Sequence, residues 1–188
     1  MIKTKNDLRF YLVEDAKRNG IHGVWSYLFH VLVGNENACA YRYIKCMRKC
    51  EYHFNNSRKV YHKLMYCFYK IKLNRLGIRY KISINLNSCG YGLRIKNLCG
   101  GGVLLNVNKV GNYCVFNGRV LIGNKGSQEA RCTIGDYTEF GPGAKAFGKL
   151  SIGSNVYVAP NAVVAKDVPD NCIVGGVPAK IIRVKEDR

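Results

Sequence analysis

The sequence contains no apolar run of about 18 residues or more, so no segment is hydrophobic enough to read as a membrane-crossing helix. Residues 1–7 also lack the apolar core of a secretion leader. Both absences predict a cytoplasmic protein. The nine cysteines form no Cys-x-x-Cys pair and keep no ligand spacing to a histidine, which excludes the usual zinc patterns and predicts no bound metal. An odd, scattered set of thiols reads instead as small buried hydrophobes in a reducing compartment. Acid is scarce: 12 Asp and Glu stand against 30 Lys and Arg, a net charge of +18. That imbalance predicts attraction to anions, whether nucleic acid, an acidic membrane surface or phosphorylated small molecules, without choosing among them. No recognised nucleic-acid motif accompanies the charge, so nucleic acid is not expected as a partner.

What the sequence does have is a six-residue beat. Apolar residues recur at Leu104, Val110, Phe116 and Ile122, and again at Ile134, Phe140, Ala146, Ile152, Val158 and Val164. A track of smaller residues runs two positions earlier, at Cys114, Val120, Cys132, Thr138, Ala144, Leu150, Val156 and Ala162. Gln128 breaks the series inside the polar stretch 124–131, yet Ile134 resumes in phase, as it should if that stretch loops out over a whole number of repeats. An α-helix repeats near 3.6 residues and a two-sided strand at 2, so neither explains the beat. A parallel β-helix does, with each hexapeptide forming one flat face and its large residue pointing into a narrow shaft.

Before the beat begins the texture is helical. Residues 5–33 read as helices, capped by Asn6 or Asp7 and interrupted at Asn19-Gly20, with a second short apolar helix over 22–33. A longer segment over 38–76 carries Tyr43, Met47, Cys50 and Phe54, then Tyr61, Leu64, Met65 and Phe68, at one-face spacing, with a split expected at Asn55-Asn56-Ser57. Arg48, Lys49, Arg58, Lys59 and Lys63 fall off that face. The first 80 residues hold 16 Lys and Arg against five acids. Two readings of this basic, aromatic region stay open: peripheral contact with a membrane where a lipid-linked substrate waits, or a solvated face over helix-on-helix packing. The fold class is therefore α + β: a helical N-terminal domain over 1–80, a parallel β-helix over 81–170 and a C-terminal tail over 171–188.

Across residues 81–184 the sequence resembles the hexapeptide-repeat acyltransferases, most of all the serine-acetyltransferase-like branch that includes sugar and capsule O-acetyltransferases. The residues that carry the resemblance are Gly92-Leu93-Arg94-Ile95, Gly141-Pro142-Gly143-Ala144-Lys145, Val158-Ala159-Pro160-Asn161-Ala162 with the residues through Pro169, and Gly175-Gly176-Val177-Pro178-Ala179-Lys180. It implies a left-handed coil and a homotrimer, with active sites in the grooves between neighbouring β-helices. Acetyl-CoA is the implied cosubstrate, lying along each groove. Pro142, Pro160, Ala165, Lys166, Lys180 and Arg183 match the family's CoA contacts, with Lys166 and Lys180 toward the adenosine phosphates and the C-terminal tail completing the site.

Moving an acyl group from a thioester to a hydroxyl needs a base for the hydroxyl proton and donors for the oxyanion. The family's base is the histidine of a Gly-x-x-Ile-x-His motif, and that position here is Asn97, or Leu98 if the glycine-rich stretch shifts the register by one. The second family histidine matches Arg131, and the acidic partner matches Ile82. All four histidines of the chain, 22, 30, 53 and 62, lie in the helical region. Three accounts follow. Asn97 orients an acceptor that is already nucleophilic, such as an amine; a base comes from elsewhere, from Glu129, His53 or His62; or the chain is a catalytically degenerate trimeric scaffold. The expected function is an acetyl-CoA-dependent O-acetyltransferase acting on a small-molecule or saccharide hydroxyl. Serine is one such acceptor, but residues of the family's serine site are absent, which favours a sugar. N-acyl transfer and the inactive scaffold are the alternatives.

Overall fold

The computed structural model of the chain describes residues 1–124 and 131–185. Four helices come first: α1 (Lys5–Arg18), α2 (Val24–Leu32), α3 (Glu36–Asn55) and α4 (Val60–Tyr80). Thr4, rather than Asn6 or Asp7, caps α1. Its hydroxyl accepts from the Asp7 N–H while the Asp7 carboxylate accepts from the Thr4 N–H, a reciprocal box that satisfies two donors otherwise left open at a helix start. The Asn55-Asn56-Ser57 break separates α3 from α4 as expected.

Fourteen short strands follow among the described residues. The first face of the coil stacks β1 (Ile82–Ile84), β3 (Val103–Leu105), β6 (Leu121–Gly123), β9 (Lys145–Phe147) and β12 (Val163–Val164). The second stacks β4 (Lys109–Val110), β7 (Thr133–Ile134) and β10 (Ser151–Ile152). The third stacks β2 (Arg94–Lys96), β5 (Val115–Asn117), β8 (Glu139–Phe140), β11 (Tyr157–Val158) and β13 (Cys172–Gly176), with β14 (Ala179–Val184) folded back antiparallel on β13. Every other pairing is parallel, the signature of a β-helix.

Each face sends one column of side chains into the shaft: Ile84, Leu105, Ile122, Ala146 and Val164; Cys89, Val110, Ile134, Ile152 and Val168; Ile95, Phe116, Phe140, Val158 and Val174. All are buried. From Val110 onward the columns follow the six-residue series, including the jump from Ile122 to Ile134. At the start the register differs by one: Leu105 is the inward residue and Leu104 is 46% exposed. Side chains alternate along a strand, so a one-residue slip turns the whole strand over. The other end differs too. Cys172 and Val174 are buried on the shaft, and β13 pairs with β11, so the coil runs past residue 170 before the hairpin turns out. Cys114 and Cys132 are fully buried, free thiols, and burial pushes each up to about 12.

The first coil would present a row of bare backbone groups if left uncovered, and the helical domain covers it with polar side chains. The Ile84 N–H donates to Tyr43 Oη, the Asn87 N–H to Glu51 Oε1 and the Leu93 N–H to Asp15 Oδ1. Asn19 donates to the Leu93 carbonyl, and Arg48 to the carbonyls of Cys89 and Gly90. Arg48, which the sequence places off the packed face, is fully buried here. Its Nε meets Asp15 at 2.9 Å and its Nη1 meets Glu51 at 3.2 Å. Burial opposes its charge, but the fields of Asp15 and Glu51 outweigh that and hold the guanidinium protonated.

Candidate active site

The corner where the chain passes from the third face to the first is built from left-handed residues: Asn97, Arg119, Gly143 and Asn161 all have positive φ, between 56° and 73°. Asn and Gly tolerate this conformation best, and the turns stack closely. The Gly143 N–H donates to the Gly118 carbonyl at 3.0 Å, and the Asn161 N–H to the Pro142 carbonyl at 2.9 Å. A Cβ on Gly118 would lie 2.1 Å from the Asn97 carbonyl oxygen, so that position admits only glycine. Asn97, Pro142 and Pro160 therefore occupy one edge of the prism, all three exposed. The hairpin β13–β14, bearing exposed Lys180 and Arg183, lies beside the same edge. A Cβ on Gly175 would sit 2.7 Å from Ile182 Cδ1 and 3.1 Å from Ala159 Cβ.

The opposite edge of the first face carries Arg131, between β6 and β7, and exposed Ala165 and Lys166, after β12. Arg131 Nε is buried without a hydrogen-bond partner among the described residues. Asn97 and Arg131 thus stand on two different edges of one chain. Within a single copy they do not meet. Glu129 lies outside the described residues. Ile82, at the family's acidic position, is buried.

Asn97 donates from Nδ2 to Asn117 Oδ1 at 2.9 Å; Asn117 in turn donates to the Phe140 carbonyl and, at 3.3 Å, to Glu139. Lys96 Nζ stands 3.7 Å from the same Glu139 carboxylate. A second carboxylate reaches this corner from the helical domain. Glu36, in the first turn of α3, accepts the Leu98 N–H at 2.6 Å, and its hydrogen bond raises the Cys99 thiol. Sequence reasoning missed Glu36, whose only local signal is an acid at a helix start. His53, by contrast, sits at the far end of α3, about 25 Å along the helix from Glu36, and its Nδ1 meets that of His62 at 2.9 Å. Burial, then His62 and Lys49, push its pKa down. Neither imidazole belongs to the Asn97 corner.

At the top of the first face, under α4, is a cavity of about 680 Å³. Exposed Leu104, turned outward by the register slip, forms part of its floor with Leu121 and Ile78. Lys70, Lys81 and Arg119 stand around it, and Arg119 Nε donates to the Gly100 carbonyl next to the Asn97 turn. Among the described residues no group of three or more His, Cys, Asp or Glu is placed to hold a metal.

No protein-family model matches the chain. Over 96 residues it is 35% identical to the serine acetyltransferase of Synechococcus elongatus, covering 50% of this chain and 38% of that one. It is 30% identical over 132 residues to the serine acetyltransferase of Bacillus pumilus, covering 64% and 60%. The chain therefore spans less than two thirds of the length of these curated relatives. The crystal structure of Neisseria gonorrhoeae serine acetyltransferase matches it with a TM-score of 0.71 at 20% identity, over 98% of this chain and 70% of that one. Serine acetyltransferases that match this fold have also been solved in complex with CoA and, for the Neisseria protein, with serine. The architecture is the hexapeptide-repeat left-handed β-helix. Within it, the chain is serine-acetyltransferase-like in both sequence and fold.

Proposed function

We propose that the chain is an acetyl-CoA-dependent O-acetyltransferase that works as a homotrimer and acylates a saccharide hydroxyl. One observation carries the reading: the residues matching the family's CoA and catalytic positions, although spread over 87 positions from Asn97 to Arg183, lie at the two edges of the first face or on the hairpin beside one of them. A neighbouring copy laid against that face would bring its Arg131 edge to this chain's Asn97 edge. The pantetheine arm would run down the stacked turns at Pro142 and Pro160, and Lys166, Lys180 and Arg183 would attract the nucleotide phosphates. The exposed cations and outward backbone groups fit such a ligand.

In the reaction the hydroxyl oxygen attacks the thioester carbonyl, the new C–O bond forms, the C–S bond breaks, and the hydroxyl proton passes to the departing thiolate. Asn97 cannot accept that proton. Glu36 can, and we assign it the transfer, with Asn97 orienting the acceptor. The 680 Å³ cavity beside this corner is within the range that encloses a drug-sized ligand, which supports a sugar over a single amino acid. Nine free thiols support a reducing, cytoplasmic setting.

Incubation with acetyl-CoA and a panel of serine, monosaccharides and oligosaccharides should release free thiol with a saccharide present. No release of thiol with any acceptor would favour the second reading, the inactive trimeric scaffold, which the lack of any histidine on this edge supports. CoA should raise the melting temperature at millimolar concentration, and Lys180→Glu should raise the CoA concentration needed by roughly tenfold, the effect of losing one charged contact. Glu36→Gln should lower kcat by about 10²–10⁴-fold while leaving the CoA-induced melting shift in place.

A further inference from the structure

We propose that α2 docks the protein on an anionic lipid surface, lying in the plane of the interface. None of its nine residues is buried. Val24, Trp25, Leu28, Phe29, Leu32 and Val33 are 51–85% exposed, and their spacing (i, i+1, i+4, i+5, i+8, i+9) puts them on one outward stripe. The opposite side is the one that packs: Tyr27 meets Tyr41 of α3 edge-on at 5.6 Å, and Lys45 Nζ lies 5.0 Å over its ring. Tyr41 and Lys45 also line a groove of about 370 Å³ between α1 and α3, floored by Leu8 and Leu12 and flanked by Lys5 and Arg9. Among the described residues no acid lines that groove.

Charge decides which occupant fits. A second copy docked through this same face would set its Lys5, Arg9 and Lys45 against their own counterparts. A nucleic acid would satisfy the cations but leave six apolar side chains in water. An anionic bilayer takes both, apolar stripe into the acyl boundary and Lys or Arg at the headgroups, with tryptophan at the interface where it is favoured. Nine residues reach only about 13 Å, and no helix among the described residues is long and apolar enough to cross a membrane. The helix therefore lies on the bilayer rather than through it.

Trp25 is the chain's single tryptophan, so its fluorescence reports on α2 alone. With the full chain, vesicles of phosphatidylcholine containing about a third phosphatidylglycerol should move Trp25 emission to shorter wavelength and sediment the protein. Pure phosphatidylcholine vesicles should do neither, and salt of about 0.5 M should weaken both effects. Leu28→Asp with Leu32→Asp should weaken vesicle binding at least tenfold, with a thermal melt matching wild type because both side chains face solvent. Two outcomes would overturn the proposal. One is no shift and no sedimentation on anionic vesicles. The other is short-wavelength Trp25 emission in lipid-free protein that reverts on dilution, which would assign the stripe to an interface between copies. Vesicle binding does not depend on acyl transfer, so this proposal and the enzymatic one fail separately.

Discussion

Arg48→Met should destabilise the fold by about 3–5 kcal/mol, the cost of breaking a buried ion pair from one side. Methionine fills similar volume, but Asp15 keeps its buried carboxylate without the guanidinium at 2.9 Å, and the Cys89 and Gly90 carbonyls lose their donor. The loss should depend on pH, and its sign follows from Asp15. Burial already raises that carboxyl, and Arg48 is what chiefly pulls it back down. Without Arg48 the folded-state value climbs further above the unfolded one, near 3.9 for an unperturbed Asp. A group raised in this way favours the fold when protonated, and that contribution is lost as pH rises through the folded value. The deficit measured by urea denaturation should therefore be larger at pH about 7.5 than at pH about 5. Adding Asp15→Asn, which keeps an acceptor for the Leu93 N–H, should recover part of the loss. An equal deficit at both pH values would mean that Arg48 acts through packing alone.

In a chain that carries Glu36→Gln, Asn97→His should raise kcat/KM for O-acetyl transfer by about 10²–10⁴-fold, the usual worth of a positioned general base. The backbone at 97 is left-handed, and histidine is among the residues that tolerate this conformation. The Asn117 oxygen that now accepts from the Asn97 amide can accept an imidazole N–H instead, fixing the tautomer with the other nitrogen free to take a proton. The gained rate should rise through pH about 6.5 as the imidazole deprotonates, an inflection the native chain should lack. Asn97→Leu should bring no gain. With Glu36 in place, a fall in rate with histidine would bear out the orienting role of Asn97, and an unchanged rate in both backgrounds would remove this corner from the chemistry.

Much of the architecture was legible in the residues. The six-beat series from Val110 onward, the helical start and the split at Asn55-Asn56-Ser57 all appear in the structure as read. The errors share a cause. At Leu104 and Leu105 two adjacent leucines satisfy the pattern equally well, and only pairing with Leu121 and Ile122 says which one faces inward. Glu36 and Arg48 sit on helices where an acid in the first turn and a base among bases carry no local mark of their partners.

From the chain alone came the period, because a coil that stacks on itself repeats the same local contacts every turn and writes them as a rhythm in sequence. Tertiary structure alone decided which polar side chains close the top of the shaft and which carboxylate stands beside Asn97. Asp15 meets Leu93 across 78 positions and Glu36 meets Leu98 across 62. Contacts that long depend on how one domain settles on another, and no periodicity within either domain encodes them.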